Sequence, residues 1–194
     1  MRIGTLGLCA LTVAFGGSTV APAAAAADVV WSSDAAVSKV TLTVPYLFLS
    51  KINATIPIES GTIVTTDAST TPLLVDLRFA SAALTTGDPK RDADLRSDKF
   101  FDVARYPTIL FASEQIVETN AGTFSVKGSL TMNGTTRPIL LEGHSLPEQR
   151  DADGKRHVRY EATGSFHRSD FGMTSARGIV GNGIALDVII EAIN

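Results

Sequence analysis

The sequence predicts an all-β protein of about eight antiparallel strands, arranged as a barrel or a sandwich, with one short helical insertion. Three observations carry this. Apolar side chains recur at every second position in one segment after another, the period of a strand buried on one face. Turn-forming dipeptides fall between those segments. A single charged stretch, Asp88 to Asp102, breaks the pattern with the markers of a helix start.

The chain opens with Arg2, an apolar run from Ile3 to about Phe15, and the small-residue run Ala21-Pro22-Ala23-Ala24-Ala25-Ala26-Ala27. That is the layout of a cleavable secretory signal. A membrane span needs roughly 20 consecutive apolar residues, and Gly16, Gly17, Ser18, Thr19 and Pro22 interrupt this one. Residues 1–27 are therefore expected to be a signal peptide, cut just before Ala27 or Asp28, and 28–194 a single exported domain, periplasmic or secreted. Cys9 is the only cysteine and lies in the signal, so the mature domain must be held by its core and not by disulfides. The 17 basic and 20 acidic residues become 16 and 20 once Arg2 is removed. A mildly acidic chain argues against nucleic acid or anionic membranes as main partners.

Within the mature chain, Val40, Leu42 and Val44 alternate with Lys39, Thr41 and Thr43, and Leu73, Val75, Leu77 and Phe79 with Asp76 and Arg78. Phe124, Val126, Leu130 and Met132 share one parity; Val158, Tyr160, Ala162 and Phe166 share another, opposite Arg159, Glu161, Thr163 and His167. Ile184, Leu186, Val188 and Ile190 form the last strand. Asn133-Gly134 suits the positive φ angles of a type I′ hairpin, and Asp153-Gly154 and Asn182-Gly183 are weaker turn signals. Pro45, Pro57 and Pro107 belong at strand ends, edges or bends, because proline donates nothing to a ladder. Asp88-Pro89 is an N-cap followed by proline at the first helical position, which would turn Leu95, Phe100 and Phe101 inward. Closure would remove the sheet edges that so many strands otherwise expose.

Three segments go beyond pattern. Asp92-Ala93-Asp94-Leu95-Arg96-Ser97-Asp98-Lys99-Phe100-Phe101-Asp102, continuing to Tyr106-Pro107-Thr108-Ile109-Leu110-Phe111-Ala112-Ser113, resembles the signature stretch of the YceI-like family. Val126 to Pro138, reading VKGSLTMNGTTRP, is similar to that family's central hairpin, and Arg168-Ser169-Asp170-Phe171-Gly172-Met173 to its C-terminal motif. The three stand in the family's order and span essentially the mature chain. The resemblance implies an extended eight-stranded antiparallel lipocalin-like barrel, exported in bacteria, whose cavity binds polyisoprenoid chains such as those of isoprenoid quinones. It is weakest near the N-terminus. Where members often carry histidines this chain has Val37 and Tyr46, and where they often carry glycine it has Phe48 and Ala54.

By parity the inward residues are Leu42, Val44, Leu77, Phe79, Phe111, Phe124, Val126, Leu130, Tyr160, Phe166, Leu186 and Val188, with core packing as the default role and ligand contact the alternative. Ala80, Ala82, Ala112, Gly128 and Gly164 would leave a bore partly unfilled if they lie among these larger residues. Phe100, Phe101, Phe171 and Met173 are candidates to line or cover the mouth. Arg91, Arg96 and Arg168 are candidate contacts to a head group, with pairing to Asp92, Asp94, Asp98 or Asp170 as the structural alternative. An isoprenoid lipid or quinone is the expected ligand; no cofactor is expected, and a homodimer is compatible.

Catalysis finds little support. The mature chain has no cysteine, and its histidines are His144, His157 and His167, of which His157 and His167 share the polar outer face. No H-x-x-x-H spacing marks a metal site. The run from Gly178 to Gly183 is not in G-x-G-x-x-G order and reads as a loop before the last strand. A lipid-holding carrier is thus the leading expectation, and a filled barrel acting as a stress-related structural or interaction protein is the alternative.

Overall fold

The computed structural model describes residues 26–47 and 49–194. The signal expected at 1–27 falls almost wholly outside the described residues, and Phe48 does too. Ten strands follow in order: β1 Asp28–Ser33, β2 Lys39–Tyr46, β3 Ser50–Thr66, β4 Ser69–Ala80, β5 Thr108–Asn120, β6 Thr123–Met132, β7 Thr135–Ser145, β8 Gln149–Arg150, β9 Arg156–His167 and β10 Gly183–Ile193. One helix, α1 (Pro89–Arg96), lies between β4 and β5. All pairings are antiparallel.

Eight strands close a ring in the order β2-β3-β4-β5-β6-β7-β9-β10, with β10 pairing back onto β2 from Ala185↔Thr43 to Ile189↔Lys39. The barrel expectation is thereby met and the sandwich set aside. The ring accounts for eight strands, and two short ones extend it. β1 continues the wall beyond the start of β2 by pairing with the far half of β3, from Asp28↔Thr66 to Ser32↔Thr62, and β8 adds two residues along β9. Pro57 stands opposite Lys39, the first residue of β2. Past it β3 changes partner from β2 to β1, so the missing donor falls where the ladder is handed over.

Alternation places the core inside the ring, where Leu42, Leu77, Phe79, Phe111, Phe124, Val126, Leu130, Tyr160, Phe166, Leu186 and Val188 are all buried. Leu73 departs from this and is 57% exposed. Between Val64 and Thr66 the β3–β4 register shifts, and the irregularity turns both Leu73 and Leu74 outward while Pro72 and Val75 point in, as a bulge does when it resets the period of two.

The turns follow their chemistry. Asn133 and Gly134 both have positive φ (50° and 69°), as a type I′ hairpin needs. Gly154 (φ 81°) turns the chain between β8 and β9. Asn182-Gly183 is not a hairpin: Gly183 begins β10, and the Asn182 side chain accepts from the Ser169 N–H at 3.1 Å. Asp88 caps α1 as expected, its Oδ1 accepting from the N–H groups of Lys90 and Arg91 at 3.0 and 3.2 Å.

The small residues do not hollow the barrel in the expected way. Ala82 and Ala112 are exposed and Ala80 is half-buried, none of them in the core. On the inner wall the glycines are roofed by neighbours: a Cβ on Gly128 would stand 2.6 Å from Phe111 Cζ, and one on Gly164 would stand 2.5 Å from Leu141 Cδ2. The missing side chains let large ones lie against the sheet, so the space is taken up by the wall. Gly128→Ala should therefore destabilise the protein by about 1–3 kcal/mol through overpacking, read as a lower urea midpoint. Gly183→Ala, where nothing lies within 4 Å of the new atom, should leave the midpoint within about 0.5 kcal/mol.

Candidate functional site: an apolar bore with one wide mouth

The two ends of the ring are built differently. At the base, Trp31 of β1 is 1% exposed. Its indole N–H donates to Thr65 Oγ1 at 2.9 Å, and the Arg156 guanidinium lies 4.8 Å over its ring. Arg156 is itself gripped by both carboxylate oxygens of Glu148 at 2.8 and 2.6 Å, and this pairing holds the Glu148 carboxyl below its ordinary range. Tyr160 completes the closure, its hydroxyl donating to the Thr70 carbonyl at 3.0 Å and its ring meeting Phe124 edge-on. Burial pushes the Tyr160 hydroxyl far above a phenol's usual range.

The opposite end is open. There a cavity of about 430 Å³ lies between the β2–β3 hairpin, α1 and the β9–β10 loop. Its walls include Leu42, Val44, Tyr46, Ile52, Ala54, Leu84, Leu95, Phe100, Phe101, Phe166, Met173, Ile179 and Ile184, with Asp88, Lys90, Arg91 and Asp94 at the rim. Leu42 and Phe166 are shared with a void of about 50 Å³ below, lined by side chains such as Leu77, Phe79, Phe111, Leu130 and Leu186. That void in turn shares Leu77, Phe111, Leu141 and Val188 with one of about 30 Å³ toward Phe124 and Tyr160. The voids thus line up from mouth to base. The middle void has only carbon side chains and one thioether on its walls, so a water there would find no hydrogen-bond partners and an apolar chain is the better occupant.

Of the candidate side chains, Leu42, Val44, Phe100, Phe101, Phe166, Met173, Arg91 and Arg168 meet at the mouth, and Leu77, Phe79, Phe111, Leu130, Leu186 and Val188 along the bore. Phe124, Val126 and Tyr160 lie at the base end. Phe171 lines none of these voids; it is buried and packs edge-on against Phe166 at 5.3 Å between ring centres, so it supports the wall. Val37 is exposed outside the core, while Tyr46 and Ala54 line the mouth.

The three arginines bind other partners than the carboxylates offered as alternatives. Arg168 is 5% exposed and donates to the carbonyls of Gly181, Met173 and Val180 at 3.0, 2.8 and 3.1 Å, folding the β9–β10 loop around its fork. Burial, with Arg177 nearby, lowers its pKa. Arg96 donates to the carbonyls of Ala82 and Leu84 and lies off the mouth. Arg91 reaches Thr86 Oγ1 at 3.0 Å and Asp88 at 3.6 Å, and of the three it alone borders the cavity with part of its head exposed. Asp92 accepts from Thr85 Oγ1 and Thr86 Oγ1, both at 2.6 Å, and from the Thr86 N–H at 2.7 Å. These bonds, led by Thr85, hold its carboxyl below the ordinary carboxylate range and moor α1 to the segment before it.

Several wall residues escape the sequence reading. Ile52, Ala54 and Ile56 alternate within β3, but Pro57 beside them points to an edge. In Ile139-Leu140-Leu141 three successive apolar residues hide which two face in; Leu140 is 53% exposed and its neighbours are buried. His157 and His167 stay on the outer face as parity placed them, 3.1 Å from Asp151 and 3.8 Å from Asp170, and His144, also exposed, lies 3.8 Å from Glu161. Among the described residues no three metal-ligating side chains come together.

A family model described as the YceI-like domain matches residues 31–192. The chain belongs to the YceI-like family. Among its relatives, the UPF0312 protein Sputcn32_2702 of Shewanella putrefaciens is 27% identical over 184 residues, covering 94% of this chain and 96% of that protein. The structure of BcnA from Burkholderia cenocepacia shares the fold with a TM-score of 0.72 at 18% identity, over 82% of this chain and 98% of the other. A polyisoprenoid binding domain from Saccharophagus degradans, implicated in plant cell wall breakdown, aligns with a TM-score of 0.60 at 16% identity, over 84% of this chain and 97% of its own. The motif segments Asp92–Asp102 with Tyr106–Ser113, and Arg168–Met173, supply the second half of α1, the start of β5 and the beginning of the anchored loop, parts that frame the mouth.

Two outcomes check this assembly. Arg168→Met strands three carbonyls and should cost about 3 kcal/mol, followed through the fluorescence of Trp31 during urea unfolding. For Asp92 the lowered folded pKa means that its stabilisation is complete above the unfolded value of about 3.9 and is lost as pH falls below it. The protection of the Thr86 amide, its exchange rate relative to an unstructured peptide at the same pH, should fall on acidification below about pH 4, and Asp92→Asn should flatten that dependence while lowering the protection at neutral pH.

Proposed function

We propose that this chain is an exported, non-enzymatic carrier that holds the chain of an isoprenoid lipid or isoprenoid quinone, with its tail in the bore and its head in the mouth. The observation that carries the reading is the aligned series of apolar voids, wide at one end and stopped at the other by Trp31 and Tyr160. Each methylene buried there is worth up to about 0.8 kcal/mol, so affinity comes from length and needs no polar partner. Selectivity then rests on the rim, where Lys90 and the half-exposed Arg91 offer donors. The polyisoprenoid binding of the Saccharophagus domain supports the ligand class, and the leader-like 1–27 supports export.

The alternative, a filled barrel that works through its outer surface as a stress-related structural or interaction protein, is favoured by one measure. Below the mouth the voids shrink to about 50 and 30 Å³. A chain running the full length must displace side chains such as Met132 and Phe79, and the flexible thioether is the easier of the two to move.

The deciding experiment is purification without detergent from a bacterial periplasm, followed by mass spectrometry of an organic extract. A stoichiometric isoprenoid or quinone is expected. An extract that stays empty after incubation with quinones and polyprenols would transfer the reading to the filled barrel. Ala54→Trp, built into the roomy mouth, should reduce the recovered lipid by about tenfold, the factor carried by 1.4 kcal/mol, with the melting temperature little changed.

A further inference from the structure

We infer that the lip of the mouth formed by the β2–β3 hairpin and the β9–β10 loop docks on the surface of a lipid bilayer that contains anionic head groups. The lip carries the most exposed large apolar side chain among the described residues, Leu49, at 98% exposure, with Leu47 and Ile179 at 51% and 47%. Isolated exposed leucines need no explanation, but these three belong to one joined feature. The Leu47 N–H donates to the Ile179 carbonyl at 2.8 Å, and Tyr46 bridges Val180. Leu47 and Ala176, one on each side of the junction, both adopt positive φ (49° and 53°), a conformation that costs a non-glycine residue free energy.

Charge selects the partner. Whole-chain charge is negative, yet residues 40–58 and 171–186 contain one charged side chain each, Lys51 and Arg177, both cationic and both exposed. No carboxylate lies in either segment. An apolar tip flanked by long cationic side chains matches the bilayer interface, where leucine enters the acyl boundary while lysine and arginine reach the phosphates. The opposite lip, α1 with Asp88, Lys90, Arg91 and Asp94, is mixed in sign, so docking is one-sided and α1 stays toward water. Tyr46 and Ile179 also line the mouth cavity, so a docked lip sets the open end of the bore against the lipid. The purpose of docking, passage of a lipid between bilayer and bore, rests on the carrier reading, but the docking itself does not.

The test is flotation with vesicles of phosphatidylethanolamine and phosphatidylglycerol, free of isoprenoids, using protein expressed from the full chain, with intact mass recorded to establish whether the leader is present. Wild type is expected to float with the vesicles. Leu49→Ser and Ile179→Ser should each lower partitioning by about tenfold, and Lys51→Glu with Arg177→Glu by about fivefold per charge, the charge effect disappearing in high salt. Leu140→Ser, on the outer barrel wall, should change nothing. Equal flotation of wild type and the Leu49 and Ile179 variants, or none by wild type, overturns the inference. So does a wild-type dimer that Leu49→Ser dissociates, which would make the occupant a second copy. Lipid extraction from the same variants keeps the carrier reading separate: a tip variant that still retains an isoprenoid but no longer floats separates holding from docking, and an empty protein that floats leaves docking standing without a cargo.

Discussion

Everything in this molecule depends on the last strand pairing on both sides. β10 bonds to β9 along its whole length and to β2 over five residue pairs, and with that second seam the sheet loses its edges. Without it the inner faces of eight strands would be one side of an open, largely apolar sheet. With it they become the wall of a bore, and the alternation of each strand becomes a division between inside and outside. The seam is made by residues more than 130 positions apart in sequence, so the barrel is committed only when the C-terminal strand arrives.

Closure also explains why the voids lie where they do. A ring of eight strands is near the size at which side chains just fill the interior, and here large residues meet glycines across the wall. Phe111 covers Gly128, Phe124 covers Gly143 and Leu141 covers Gly164. A ring laid against the sheet occupies less of the axis than one pointing along it, and what remains below the mouth is two small apolar voids of about 50 and 30 Å³ in an otherwise packed core. At the mouth the wall no longer supplies packing partners on every side. Leu95, Phe100 and Phe101 close it from outside the ring, and they leave the larger space.

The period of two was enough to read the barrel's inner face, because in most strands one face alone is apolar. It failed where that condition fails. Leu73 and Leu74 are both apolar beside a bulge, and nothing local says which parity survives it. The Ile139-Leu140-Leu141 run is ambiguous for the same reason. Asp88-Pro89 announced α1 because capping is a local bond. The partners of Arg168 were invisible because they are backbone carbonyls, which every residue has; the choice of Gly181, Val180 and Met173 is made by the loop's path and by no residue type. Trp31 carries no local mark of its place at the base of the bore, since its partners, Thr65 and Arg156, are remote in sequence.

The two ends of the barrel therefore answer opposite demands. At the base, Trp31, Arg156 and Glu148 are tied by stacking and paired hydrogen bonds, and every part has a partner inside the protein. The mouth is tied as firmly at its roots, by Arg168 under the β9–β10 loop and Asp92 under α1. Its tip, by contrast, ends in a leucine almost wholly exposed. Anchored roots with an unpaired apolar tip differ from an ordinary loop, in which exposure and weak anchoring go together. The hairpin is bonded to that anchored loop by Leu47 and Pro45, so the lip is tied to the barrel at its base while its leucine side chains stand exposed beside the cavity.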